Sequence, residues 1–570
     1  MDIPVVSPSR FIFPSHISRL PPELLAKIFL HLADAFRHEP KAMGCFGHRP
    51  YAWLRVTRVC HFWHDAALGC PPLWAFINTS YPVDRIKMLL RRSGQVPLIV
   101  KPISTLALSC SFSDVIDQSV LALVLQEVPR IMKLEVMITE SFSTKLAMTN
   151  IQYPSLRSLC LRSAFINFET DTRREKMDFA LNFDIPRLRS LKAFSFEFSE
   201  AKTLFRPWLQ KLILQPASYP PLHEVSECIR GLPLLSSLDL LAFNYFNDSS
   251  SDYPKGYKAV ALNHLQWLHI DGNRYYCRFL DNLEIAPGAC VSLELSTGNV
   301  FRDLEDIDTM TYNAMRFCGL PNHDVVLPQS RMLRSMAVQY EVHHSQATID
   351  IQGWDVVFSR DIFMRETGYP HSLPRPFIHL KLRCFSVNDG VVVLSHFCRN
   401  FNVGEIQALI LGFAVQRHSD NDAMWHGLAH VFDSPSIETL VMLDWHAGQL
   451  ASLITTDHCN SLPSGTPSIP FPGLKTLVSY RLRWADVDEG ISPSPLPLTT
   501  GLQYRAKNNV GIETLCLRDC ISDVNKEDLE ESMAVVPNLM WNVKEPEATD
   551  DDSDWWSSVD SASSLLGQEE

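Results

Sequence analysis

The chain has 570 residues, 46% of them hydrophobic and 20% charged, a globular composition too long for one compact core and too apolar for a wholly disordered protein. Its net charge of −13 sits mostly at the end: residues 545–570 hold nine acids and no base, leaving 51 bases against 55 acids, or −4, in the body. That balance argues against a dedicated nucleic-acid binder, which needs a sustained basic face, while leaving room for a local basic patch.

No stretch approaches the ~18 consecutive apolar residues of a membrane-spanning helix. The first twenty residues lack a basic segment followed by an apolar one, so no secretory leader is read. Most of the 14 cysteines stand in apolar runs, as Cys160 does in Leu-Arg-Ser-Leu-Cys-Leu, which suits buried thiols in a reducing compartment. The expectation is a soluble protein of the cytoplasm, the nucleus or both.

Residues 1–16, with Pro4, Pro8 and Pro14, read as a loose leader. Pro21-Pro22-Glu23 is a good helix start, since proline is tolerated in the first turn and an acid there complements the helix dipole. Leu24, Leu25, Ile28, Phe29 and Leu32 then recur at helical spacing. After a polar interruption from Asp34 to Pro50, a second helical stripe is expected from Trp53, Val56, Val59, Cys60, Trp63 and Ala67. Cys70-Pro71-Pro72 ends it, and Leu73 to Ile77 reads as a short strand.

Beyond residue 80 one phrase recurs, with apolar residues at i, i+3 and i+5. It appears as Leu156-x-x-Leu159-x-Leu161 and again from Leu209, Leu235, Leu265, Ile406, Ile437 and Ile512, with weaker copies from Ile131, Leu188 and Leu474. Spacings of this order are the mark of a leucine-rich array, in which the apolar positions of short parallel strands stack into a shared core. The period is irregular, and between Leu295 and Ile406 only scraps such as Leu333-x-x-Met336-x-Val338 remain, so an ordinary leucine-rich α/β domain stays open. Ser461 to Pro472 and Ala485 to Gly511 read as insertions or flexible excursions, and residues 545–570 as a disordered acidic tail.

Three blocks near the start belong together: Ile17-Ser-Arg-Leu20-Pro21-Pro22-Glu23-Leu24-Leu25, then Val59-Cys60-His-Phe-Trp63, then Pro71-Pro72-Leu73-Trp74. In this order they resemble the F-box, in the F-box-like form common among mushroom-type fungi. The resemblance implies a small helical module docking on the Skp adaptor of a cullin–RING ubiquitin ligase of the SCF type. It assigns adaptor binding to Leu20, Pro21, Pro22, Glu23, Leu24, Leu25, Ile28, Phe29, Leu32, Val59, Cys60 and Trp63. From the residues alone, so short a helical segment cannot hide all its large apolar side chains, and part of that surface should face a partner.

Other constellations are weaker. Cys45-x-x-His48 followed by Cys60-x-x-x-His64 imitates zinc-ligand spacing, but Cys60 falls on the expected apolar stripe. His426 and His430 are four apart without the glutamate of a metalloprotease. No phosphate-binding loop, dinucleotide fingerprint or serine-hydrolase elbow occurs, so neither enzyme activity nor a cofactor or metal is expected.

The expected architecture is therefore mixed α/β: residues 17–80 a helical F-box-like domain, residues 81–544 an irregular leucine-rich-repeat-like α/β solenoid. The expected function is substrate recognition for a ubiquitin ligase, marking an unidentified protein for degradation. The alternative is an interaction scaffold whose F-box-like segment does not engage the adaptor. The target is expected on the outward residues of the repeat strands, with Trp267, His269, Trp445 and Arg518 as candidates.

Overall fold

The computed structural model describes residues 20–38, 51–102, 118–138, 152–163, 184–217, 220–243, 259–272, 279–286, 288–296, 304–320, 331–343, 346–358, 373–384, 403–415, 435–443, 445, 450–451, 453–454, 469–482, 498–518, 530–531 and 534–542. They fall into two compact units, Met1–Phe243 with Asn247–His264, and Asn244–Phe246 with Leu265–Glu570.

The first unit opens with α1 (Pro22–His38). The carbonyl of Pro21 accepts the backbone N–H groups of Leu24 and Leu25 at 3.0 and 3.2 Å, and Pro22 fills a first-turn position whose missing N–H costs nothing. The helix extends past Asp34, into what read as a polar interruption, because the Arg37 guanidinium reaches Asp34 at 3.0 Å and the Leu73 carbonyl at 3.0 Å.

The second helical stripe is not one helix. A 3₁₀ segment (Ala52–Arg58) gives way to α2 (His61–Leu68) through Cys60, whose backbone is extended at φ −161°. Val56, Thr57 and Val59 crowd this stretch with β-branched side chains, and the Thr57 hydroxyl donates to the Leu54 carbonyl at 2.7 Å. The break rotates Val59 and Cys60 off the apolar stripe and into solvent.

One helical turn, α3 (Pro71–Trp74), follows, so the strand read from Leu73 is only β1 (Phe76–Asn78). Trp53 and Trp74 form the centre of this helical core, edge to face at 5.3 Å, with the Trp74 indole N–H donating to the Ala67 carbonyl at 3.0 Å.

Next come α4 (Val83–Ser93), β2 (Leu98–Lys101), α5 (Gln118–Leu125), β3 (Ile131–Ile138), β4 (Ser158–Ser163), β5 (Ser190–Phe196), β6 (Lys211–Pro216), β7 (Ser237–Phe243) and the short β8 (Val260–Leu262). β1 to β7 pair in chain order, every pair parallel. The recurring phrase explains this ladder. Leu156, Leu159 and Leu161, like Leu209, Leu212 and Leu214, are buried on one face, and each strand gains a hydrophobic layer only by stacking on its neighbours.

The second unit holds β9 (Trp267–Gly272), β10 (Leu283–Ile285), β11 (Cys290–Ser296), a helix at Leu304–Cys318, β12 (Ser335–His343), β13 (Gln346–Trp354), β14 (Ile378–Cys384), β15 (Ala408–Val415), β16 (Thr439–Leu443), β17 (Thr476–Tyr480), β18 (Thr514–Arg518) and β19 (Asn538–Asn542). Its ladder runs β9–β11–β14–β13–β12–β15–β16–β17–β18–β19. All pairings are parallel except those of β13, which is antiparallel to both neighbours. The mostly parallel ladder is thus interrupted by a hairpin with nine-residue strands between Leu295 and Ile406, where the irregular phrase had faded.

Ala485 to Gly511 is not wholly a flexible excursion: Leu498–Lys507 is a helix. It is fixed by the buried Arg505, which donates to the carbonyls of Pro470 at 2.6 Å and Phe471 at 2.8 Å. Burial lowers the Arg505 guanidinium pKa to about 10.

Over β12 and β15 to β18 the second face of the sheet is covered as well. Ala337, Ile410, Val441, Val478 and Cys516 form a buried cluster with Trp354 and Phe358. The position before the last residue of each phrase is therefore covered there, while Glu438 and Lys475, just after the first residue, stay exposed and pair across neighbouring turns at 2.8 Å, so the expected outward face is narrowed to those positions. On β9, β11, β14 and β13 the equivalent positions are polar.

Candidate functional site

On α1, Leu24 and Ile28 stand one turn apart and are 45% and 48% exposed. The break before α2 leaves Val59 61% exposed, and Phe62 follows at 37%. Among the described residues eleven large hydrophobic side chains are this exposed, and four of them fall here. Pro21, Pro22 and Glu23 are also exposed, while Leu20 and Leu32 are partly covered.

Leu25 and Phe29, from the expected set, are buried core residues. Trp63 is half-buried against Phe29, with ring centroids 5.3 Å apart. These three shape the surface from beneath. Phe62 was missed, although its place next to the inward Trp63 turns it about 100° around the helix and so outward.

Residues 17–80 match the F-box-like family. No curated protein matches the chain. The F-box-like domain therefore combines a closed aromatic core with uncovered aliphatic and aromatic side chains at its helix start and its helix break.

The break also exposes Cys60 as a free thiol. Burial pushes the Cys160 thiol up to about 11 and the Cys318 thiol higher still, so neither forms thiolate at neutral pH. Iodoacetamide at neutral pH is expected to label Cys60 well ahead of Cys160 and Cys318, as read by peptide mass spectrometry. Labelling of Cys160 or Cys318 as fast as Cys60 would contradict the described burial. Cys45 and His48 lie outside the described residues, as do His426 and His430.

A second candidate surface lies in the polar part of the second unit. Ser292 on β11 sits between two histidines: its hydroxyl is 3.0 Å from His269 Nδ1 on β9 and 3.1 Å from His379 Nδ1 on β14. His379 Nε2 is 3.1 Å from Asp350 Oδ1 on β13, which also accepts from the Gln352 amide at 3.1 Å. With neutral rings, the proton on His379 Nε2 points to Asp350, so His379 Nδ1 accepts from Ser292 and the serine oxygen accepts from His269 Nδ1–H.

The residue types are those of a serine hydrolase, but Ser292 is 3% exposed and its hydroxyl is engaged on both sides. The network instead locks four strands and orients what lies beside it. Trp267 stacks on His269 at 6.4 Å, and the Arg375 guanidinium lies over the Trp267 ring at 3.2 Å. One step along, Glu294 pairs with Lys381 at 3.5 Å and with Arg383. Of the other two candidates, Trp445 is buried and therefore closed to a partner, and Arg518 is partly exposed at the end of β18.

Proposed function

We propose that this chain is a substrate receptor of an SCF-type cullin–RING ubiquitin ligase, with the F-box-like domain binding a Skp-type adaptor and the later strands binding a protein target. The observation that carries the reading is the group of Leu24, Ile28, Val59 and Phe62, exposed within the segment that matches the F-box-like family. F-box domains typically bind Skp adaptors, and desolvated apolar anchors are what give such interfaces their affinity.

The strands with the i, i+3, i+5 phrase are read as irregular leucine-rich repeats, and the three N-terminal motif blocks as the fungal form of the F-box. The receptor performs no bond-making step. It raises the local concentration of target lysines near the conjugating enzyme, in the cytoplasm or nucleus, and so directs degradation. Affinity purification of the full chain tests this: adaptor and cullin should be retained together. A chain that stays soluble alone and retains neither is a scaffold outside any ligase.

Target binding is assigned to the polar sheet face around Trp267 and His269, where a stacked aromatic pair is held by side chains from neighbouring strands. The acidic residues 545–570 are the competing site, although a polyanion gives salt-sensitive contact of low specificity. Trp267→Ala with His269→Ala should reduce recovery of targets at least about tenfold, the loss of roughly 1.4 kcal/mol, whereas deletion of residues 545–570 should leave it unchanged. The opposite pattern would move the target site to the tail.

A further inference from the structure

The turns leading into β4, β5 and β6 line a cavity of about 390 Å³, walled by Arg157, Pro186, Arg187, Arg189 and Trp208. The ladder brings the first two strands' arginines into line. The Arg189 N–H donates to the Arg157 carbonyl at 2.9 Å and the Gln210 N–H to the Arg189 carbonyl at 2.8 Å, so Arg157 and Arg189 stand at adjacent strand entrances. Neighbouring strands are ~4.8 Å apart, a spacing at which two guanidinium groups repel. Arg187 adds a third charge two residues before Arg189.

Other arginines of this unit are partnered: Arg130 with Glu127 at 2.7 Å and Arg162 with Glu135 at 3.6 Å. Among the described residues, no carboxylate pairs with Arg157, Arg187 or Arg189, and all three are exposed. Trp208 is 38% exposed beside them. Its turn is fixed by Arg206, which donates to the carbonyls of Thr203 at 2.7 Å and Phe205 at 2.9 Å, and by the buried Leu209.

We infer that this cavity binds one phosphoryl group carried on a protein side chain, with the arginines on the phosphate oxygens and Trp208 beside the group that carries them. Three unneutralised guanidinium forks suit a dianion with three acceptor oxygens better than a single carboxylate. The three arginines line a single cavity on a body of charge −4, which suits one phosphate better than the long basic row a polynucleotide needs. An aromatic wall and this volume leave room beyond a bare phosphate for the side chain that bears it. The site stands apart from the adaptor surface, and its failure would leave that reading intact.

The test uses the full chain and fluorescence anisotropy with degenerate peptide pools centred on phosphotyrosine, on phosphoserine, or on the unphosphorylated residues. Inorganic phosphate and adenosine monophosphate serve as competitors. At least one phosphorylated pool should bind about tenfold or more above its unphosphorylated counterpart, and more weakly as salt rises. R157Q combined with R189Q should remove at least about tenfold of that affinity with an unchanged melting midpoint, and R230Q should leave it unaltered. R187Q, made alone and leaving Arg157 and Arg189 in place, gives an independent reading should the double variant misfold. Equal binding of phosphorylated and unphosphorylated pools, or full binding by R187Q and by the folded double variant, overturns the site. Phosphate or adenosine monophosphate bound more tightly than every phosphopeptide overturns the protein side chain as its source.

Discussion

Leu24→Asp combined with Ile28→Asp is expected to remove the adaptor and cullin from the co-purifying material while the far-ultraviolet circular dichroism and melting midpoint stay at parental values. Both side chains are close to half exposed in the free chain, so their loss leaves no cavity. In a complex they would be desolvated anchors, and truncating such anchors costs about 2 kcal/mol or more each, a loss of affinity of roughly thirtyfold per residue. Phe29→Ala separates interface from core. Phe29 is buried against Trp63, so its removal should cost ~3–5 kcal/mol of stability and lower adaptor retention only through loss of the folded domain. If the double aspartate variant retains adaptor like the parent, the F-box-like domain does not dock through α1.

Gly473→Ala should be the most damaging of the small substitutions in the second unit. Gly473 lies in the turn before β17, packed against the equivalent turn before β16. A Cβ there would overlap the Pro435 carbonyl oxygen, approach its carbon to 3.0 Å and meet the Ile437 carbonyl at 3.4 Å. All three obstacles are backbone, so no rotamer change relieves them and two paired strands must separate. The expected cost is ~3 kcal/mol, the upper end of overpacking, read as a lowered denaturation midpoint. Gly511→Ala is the control. Its nearest neighbour is the Ala506 Cα at 3.6 Å, ordinary contact, and its midpoint should move little. Similar behaviour of the two variants would mean that the turns are not packed as described.

The linear sequence determined what depends on short-range periodicity. The i, i+3, i+5 phrase marks strands β3 to β7, β9 and β15 to β18, because alternation along one strand selects one buried face and a following turn lets the next copy stack on it. The motif blocks around Leu20, Cys60 and Trp74 likewise identified the F-box-like domain in one reading, since each is local. Helical spacing alone then misassigned Val59 and Cys60, for the stripe continues through a point where β-branched crowding and a hydroxyl contact stop the helix.

Other features were decided only by tertiary contact. The hairpin strand β13 carries no leucine phrase, and its place between β12 and β14 follows from backbone pairing to both. Val441 and Val478 read as outward residues on their own strands, yet they are buried because Trp354 and Phe358, distant in sequence, cover that face. Arg157 and Arg189 are 32 positions apart in the chain and become neighbours through parallel register, as Ser292 does with His269 and His379. A sequence fixes which face of a strand is apolar through its own alternation; which strands lie side by side, and what covers the other face, depends on pairings between residues far apart, which local pattern does not encode.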